Sequence, residues 1–297
     1  MDPIVVTHGG TNSPPEWSDG CERAARVGAG ILAAGGSALD AVVAAVRDME
    51  DDGRFNAGRG SCLRLDGETL EMDAGVMEST GRIGAVAALR GFCHPVEAAR
   101  AASGTPHILY AGEGAALLAR AFGLEPWTGG ATEAMRERHR RIVESFRDPA
   151  ARPPAWRGVD LGRIWNFSAP LPPGLRPEDT VGAVARDASG RFAVANSTGG
   201  SRPMLLGRVG DSPLPGAGFW AGPHGAVAAT GIGEEIIRRL ACREIHDRLA
   251  SGAAPVEAIR AVTDMFPPDV AFGAIAVSAL ASGEGANRSM AFAAAHP

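Results

Sequence analysis

The stretch EDTVGAVARDASGRFAVANSTGG, residues 178–200, decides the reading of the fold. After Thr180 an apolar, small-residue run extends to Ala185. The DASG segment at 187–190 supplies turn residues, and Phe192 to Asn196 resume the run before Ser197-Thr198-Gly199-Gly200 close it. This pattern predicts a β-hairpin. With Ala188-Ser189 as a two-residue turn, Thr180 falls opposite Ser197 and Thr198 lies beside that pair.

Immediately upstream, prolines at 149, 153, 154, 170, 172, 173 and 177 mark residues 148–179 as an extended or mobile linker within one functional unit. Nearer the amino terminus, Ile4–Val6 read as a short strand that breaks at His8, Gly9 and Gly10. Cys21–Asp48 follow with helical spacing. An acidic, glycine-bearing loop (MEDDGRFNAGRG, 49–60) leads to strand-like pieces at Ser61–Leu65, Thr69–Asp73 and Gly84–Leu89. Two or three helices are expected over Pro95–Arg147. Downstream of the hairpin, strands are expected at Ala226–Thr230, Ala271–Ala279 and Arg288–Ala293, with helices at Glu234–Ala250 and Pro255–Asp264. Each half contributes hairpins and helices, which suits an α/β sheet sandwich covered by helices.

Composition narrows the chemistry. All 29 basic residues among the 297 are arginine, which excludes lysine Schiff bases, a Walker phosphate loop and a lysine general base. A net charge of -5 gives no basic footprint for nucleic acid or an anionic membrane, so a small-molecule partner is favoured. Cys21, Cys62, Cys93 and Cys242 lack CxxC spacing and read as reduced thiols. With no leader-like start and no apolar run of about 20 residues, the expectation is a cytoplasmic protein. GxSxG, HExxH and a strand-linked GxGxxG are all missing. His94, His107, His139 and His246 read as surface or helix-end residues, and His8 as a turn residue.

The groups that can carry chemistry cluster in Thr180, Thr198, Arg208, Asp211, Thr230, Gly231 and Gly233. A threonine hydroxyl is a weak nucleophile, and no histidine or lysine lies near in sequence to activate it. A free α-amine on the same residue, with a pKa near ~8, is a competent base, and it exists only if the chain is cut before Thr180.

With GRVGDSPLPGAGFWA (207–221), ATGIGE (229–234), THGG (7–10), FNAGRGS (55–61) and EMDAGVM (71–77) in the same order, the chain resembles the plant-type asparaginase and isoaspartyl aminopeptidase family of N-terminal nucleophile hydrolases over nearly its whole length. The resemblance implies autocleavage between Asp179 and Thr180. Residues 1–179 and 180–297 would then remain together as one four-layer αββα domain, paired into a homodimer of αβ units. It further implies Thr180 as nucleophile, its own amine as base, Thr198 as the group that positions both, and the Thr230 hydroxyl with the Gly231 amide as oxyanion hole. Two such donors are each worth ~3 to 4 kcal/mol.

Arg208 offers a planar fork for an α-carboxylate and Asp211 an acceptor for an α-ammonium, with the Gly233 carbonyl adding to the latter by the same resemblance. Only an unblocked amino-acid head satisfies both, as in asparagine or a β-aspartyl dipeptide. The expected activity is therefore isoaspartyl dipeptide hydrolysis with secondary asparaginase activity. Asp179 ahead of the nucleophile leaves glycosylasparaginase as the enzyme alternative, and a non-catalytic aspartyl-binding relative as the alternative outside catalysis. Asn56 is either a left-handed turn or a support of the site. No cofactor is expected to take part in catalysis. The family likeness implies a structural sodium ion held by the backbone carbonyls of Met49, Glu50, Asp52, Phe55, Ala57 and Arg59. Otherwise Glu50-Asp51-Asp52 is solvated surface.

Overall fold

The computed structural model describes residues 2–145, 156, 158–168, 180–201 and 203–297. Within them the chain is a mixed α/β structure with two β-sheets. Strand β1 (Ile4–Thr11) is followed by a 3-10 turn at Pro15–Trp17 and by helices α1 (Ser18–Ala33) and α2 (Ala38–Asp52). The sequence suggested one helix here. Gly35 at φ +83 breaks it, and Ser37 with Asp40 forms a capping box that restarts it. Strands β2 (Met72–Glu78) and β3 (Ile83–Leu89) then precede α3 (Pro95–Ala102), β4 (Leu109–Ala111), α4 (Gly112–Ala121) and α5 (Glu133–Ser145). The expected strands at Ser61–Leu65 and Thr69–Asp73 are not formed. Strand pairing begins only at Met72, which faces Leu89 of β3, and β6 joins at Asp73.

Most of the proline-rich stretch lies outside the described residues, which include the short helix α6 (Leu161–Ile164) from it. Next come β5 (Val181–Arg186), β6 (Phe192–Thr198), β7 (Phe219–Gly222), β8 (Gly225–Gly231), α7 (Gly233–Arg239), α8 (Ala241–Ala250), α9 (Pro255–Thr263), β9 (Phe272–Val277), β10 (Ser282–Ala286) and β11 (Met290–Ala295). The single helix expected from Glu234 to Ala250 is interrupted by Leu240 in the left-handed region.

Seven strands run in the order β11-β1-β5-β6-β2-β3-β4, and four in the order β10-β9-β8-β7. Three apolar clusters surround them. Val42, Val46 and Phe55 pack with Val76 and Val181 on one face of the larger sheet, and Val6, Val184, Val194, Phe219 and Ile275 fill the space between the sheets. Ile236, Ile245 and Ile259 cover the far side of the smaller sheet with Phe272 and Val227. Because β5 is buried on both faces, its sequence is a continuous run of small apolar residues rather than an alternation. A Cβ on Gly75 would lie 2.2 Å from the Phe219 ring, so that glycine lets the ring approach β2. Among the described residues no helix is long and apolar enough to cross a membrane, and all four cysteines are free and buried.

The hairpin forms, one residue out of the expected register. Val181, not Thr180, faces Ser197, and Arg186 faces Phe192. Gly190 at φ +79 makes a three-residue loop, and the Asp187 carboxylate accepts from the amides of Ser189 and Arg191. The shift carries Thr180 toward Thr198.

Candidate active site

The loop that follows β6 and the ends of β5, β6, β8 and α7 converge on one narrow cleft. Thr180, just ahead of β5, and Thr198, the last residue of β6, line it with Arg208, Asp211, Gly231 and Gly233. The Thr180 hydroxyl lies 3.2 Å from that of Ser212, a fully buried residue that sequence reasoning passed over although it adjoins Asp211. Thr198 Oγ1 accepts from the Gly200 amide at 2.9 Å. Thr230 is buried at the end of β8, outside the lining of the cleft, where its oxygen accepts from the Thr11 amide at 3.3 Å. That contact leaves its own O–H free to donate.

Asn56 also stands behind the cleft. It donates to the Gly200 carbonyl at 2.5 Å and accepts from the Cys62 amide at 2.9 Å, and it does not adopt the left-handed conformation. The left-handed turn is therefore not formed at Asn56. Asp179 lies outside the described residues.

Arg208 and Asp211 share the cleft, with Gly233 close to both. A Cβ on Gly233 would lie 2.8 Å from Asp211 Oδ1 and 2.9 Å from Arg208 Nη2. The arginine fork is engaged by Glu234, Nε to Oε1 and Nη2 to Oε2, both at 3.0 Å. Sequence reasoning missed Glu234, although an acidic residue directly after Gly233 in the first turn of α7 was the available signal. Asp211 Oδ2 is buried without a hydrogen-bond partner. Burial raises that carboxyl to about 7 against the opposing pull of Arg208.

The loop from Met49 to Arg59 has features that suit a cation. Carbonyls in the last turn of a helix have no intrahelical partner, and those of Met49, Glu50 and Asp52 are in that position at the end of α2. The Glu50 carbonyl lies 2.5 Å from where a Cβ on Gly58 would stand, and that of Phe55 1.9 Å from one on Gly60, so only glycine admits this winding. The carbonyls of Phe55 and Ala57 also accept from the amides of Ala57 and Gly60. The Arg59 side chain turns outward to Asp51 at 3.0 Å.

The solvated-surface reading of the acidic triplet fails for Glu50 and Asp52. Glu50 is fully buried, accepts from Ser197 Oγ at 2.5 Å and the Val96 amide at 3.0 Å, and faces His94 Nδ1 at 3.4 Å. Burial pushes its carboxyl up. Burial opposes ionisation of Asp52 too, yet hydrogen bonds and charge from Arg54 and Arg23 bring it to about 2.

The histidine expectations also need correction. His94 is a helix-end residue, the N-cap of α3, though buried, and His107 is exposed, whereas His139 and His246 are buried within α5 and α8. His8 is a buried strand residue paired with Gly182 and Phe292, and burial lowers it to about 3. Pairing with β5 ends at His8, and β11 takes up the strand again at Thr11 after an irregularity at the two glycines.

A family model described as Asparaginase matches residues 1–296. The chain is 45% identical to the plant-type L-asparaginase of Pyrobaculum calidifontis over 87% of its own length and 82% of the relative's. It is 40% identical to the isoaspartyl peptidase/L-asparaginase of Danio rerio, covering 87% and 79% of the two chains, and 40% identical to that of Homo sapiens, covering 80% and 74%.

Proposed function

The chain belongs to the asparaginase family, and on that premise we propose that it hydrolyses the side-chain amide bond of β-aspartyl dipeptides, with asparaginase activity alongside. The observation that carries this reading is the meeting of Thr180, Arg208 and Asp211 in one cleft. An amino-acid head needs a cation for its α-carboxylate and an anion for its α-ammonium, and Arg208 and Asp211 supply them. The unpartnered Asp211 oxygen is the acceptor the ammonium completes. Glu234 holds the Arg208 fork in position, and the substrate carboxylate shares or displaces it.

In the chemical step, cleavage before Thr180 frees its amine, which takes the hydroxyl proton as Oγ1 attacks the side-chain carbonyl. The Gly231 amide and the Thr230 hydroxyl stabilise the resulting oxyanion. The same amine returns the proton to the departing nitrogen, and water then releases aspartate from the ester. Thr198, across from Thr180 at the end of β6, positions the amine and hydroxyl.

The packing of apolar clusters on both sides of and between the sheets supports a four-layer αββα arrangement made by residues 1–179 and 180–297 after cleavage. A sodium ion on the Met49–Arg59 carbonyls, a homodimer of cleaved units and a cytoplasmic setting complete the reading. The names of the relatives favour isoaspartyl and asparagine substrates over a glycosylated asparagine. The test is mass spectrometry of active protein together with turnover of asparagine and β-aspartyl dipeptides. A new terminus at Thr180 with aspartate release is expected, and Thr180→Ala should stay uncut and inactive. Turnover by that variant would remove the nucleophile and with it the scheme.

A further inference from the structure

We propose that the buried pair Arg64–Glu71 is the positioning device for the substrate clamp, fixing the loop from which Arg208 reaches the α-carboxylate. This inference rests on the proposed β-aspartyl hydrolysis and adds a determinant of substrate affinity that lies outside the cleft.

Arg64 is wholly buried, and its Nε lies 3.0 Å from Glu71 Oε2. Every other contact of its fork but one is made to the loop. Nη1 meets Met204 Sδ at 2.5 Å, and Nη2 donates to the Arg208 carbonyl at 3.3 Å, with the Glu71 carbonyl at the same distance. Glu71 Oε2 also accepts from the Gly207 amide at 2.8 Å, and the Leu65 amide donates to the Met204 carbonyl at 3.1 Å. One ion pair therefore grips Met204, Gly207 and Arg208, two of them through backbone atoms that no side-chain change in the loop replaces.

Between the end of β6 and the start of β7 the described chain forms no helix or strand, and Gly207 sits at φ +74. The loop thus lacks a ladder of its own; the buried pair fixes it at Met204, Gly207 and Arg208, while Asn166 exchanges two hydrogen bonds with Leu206 and the Arg208 amide donates to the Leu205 carbonyl. A buried pair is weak evidence for stability, because desolvation offsets most of the attraction. Its effect here is geometric. A clamp displaced by ~1 Å loses substrate affinity far more readily than the protein loses its fold. The pair comes from residues before the proposed cleavage point and the loop from residues after it, so it also joins the two segments at the substrate side.

The experiment compares intact enzyme with the double variant Arg64→Met, Glu71→Leu, which removes both charges and leaves neither unpaired, and with Arg90→Ala. Arg90 donates to Glu71 Oε1 at 2.8 Å with its side chain half exposed, and among the described residues it makes no hydrogen bond to the loop. The double variant is expected to generate the Thr180 terminus normally, to keep kcat within roughly threefold, and to raise KM for β-aspartyl dipeptides by roughly tenfold or more. Its calorimetric affinity for L-aspartate, which carries the same head, should fall by a similar factor. Arg90→Ala should leave both unchanged.

An unchanged KM in the double variant, an equal loss in kcat, an equal rise in Arg90→Ala, or failure of the double variant to fold would each overturn the proposal. The last would show the pair holding the core rather than the loop. If the wild-type protein binds aspartate but turns over no β-aspartyl substrate, the activity fails and the aspartate affinities still decide the positioning role. Wild-type protein that does neither overturns both.

Discussion

At the scale of single residues, the ionisation of Asp211 makes the sharpest prediction. Its carboxyl titrates at about 7 in the free protein because it is buried, and only the carboxylate form attracts an α-ammonium. kcat/KM reports the free enzyme, so it should fall as pH drops below about 7, with a slope traceable to this group. Stability runs the other way. A carboxyl raised from 3.8 favours the folded state fully below its unfolded value, and that contribution is lost as pH rises through about 7. Urea unfolding of Asp211→Asn beside the wild type across this interval should show the wild type losing ground as pH rises. Parallel curves would refute the assignment.

Two further substitutions test the cleft. Gly233→Ala pushes a methyl between Asp211 and Arg208 and should lower kcat/KM by at least about tenfold, read in steady-state kinetics. Ser212→Ala removes the only hydrogen bond described for the Thr180 hydroxyl and should lower kcat roughly fivefold, the worth of about 1 kcal/mol. Thr180, Thr198, Arg208 and Asp211 were legible because their types and order are chemically suggestive. Ser212 and Glu234 were not, since their roles follow from distances that spacing does not encode. Arg64 is harder still, as a buried arginine in a loop looks like any surface arginine until its partners are known.

At the scale of elements, sequence patterns identified the central hairpin, α9 and most strands, and failed where the outcome depends on what lies alongside. The register slipped because Gly190 supports a three-residue loop as readily as Ala188-Ser189 suggests a shorter one. His8-Gly9-Gly10 looked like a break; β5 and β11 pair with His8, and the glycines mark an irregularity after which β11 resumes at Thr11. Ser37 shows the converse, a local signal strong enough to separate two helices. Its oxygen accepts from the Asp40 amide at 3.1 Å, and Ser37→Ala should cost about 1 kcal/mol, visible as a lower Tm with unchanged kinetics. A fall in kcat/KM there would contradict the purely structural role.

At the scale of the whole molecule, the two proposed segments are interleaved rather than adjacent. In the order β1-β5-β6-β2 the inner strands come from residues after Thr180 and the outer two from residues before it. Once cut, the pieces should co-elute on size exclusion under native conditions and part only in denaturant. Separation in buffer alone would contradict the strand order.

That same interleaving gives the molecule a history. As one chain, β5 and β6 find their flanking strands by closing a loop, an entropic cost that grows only slowly with loop length. After scission the same search becomes an encounter between two solutes. On the proposed cleavage, recovery from denaturant should depend on dilution for the cut protein and not for Thr180→Ala, which would make maturation a ratchet: assembly before the cut, and not readily repeated after it.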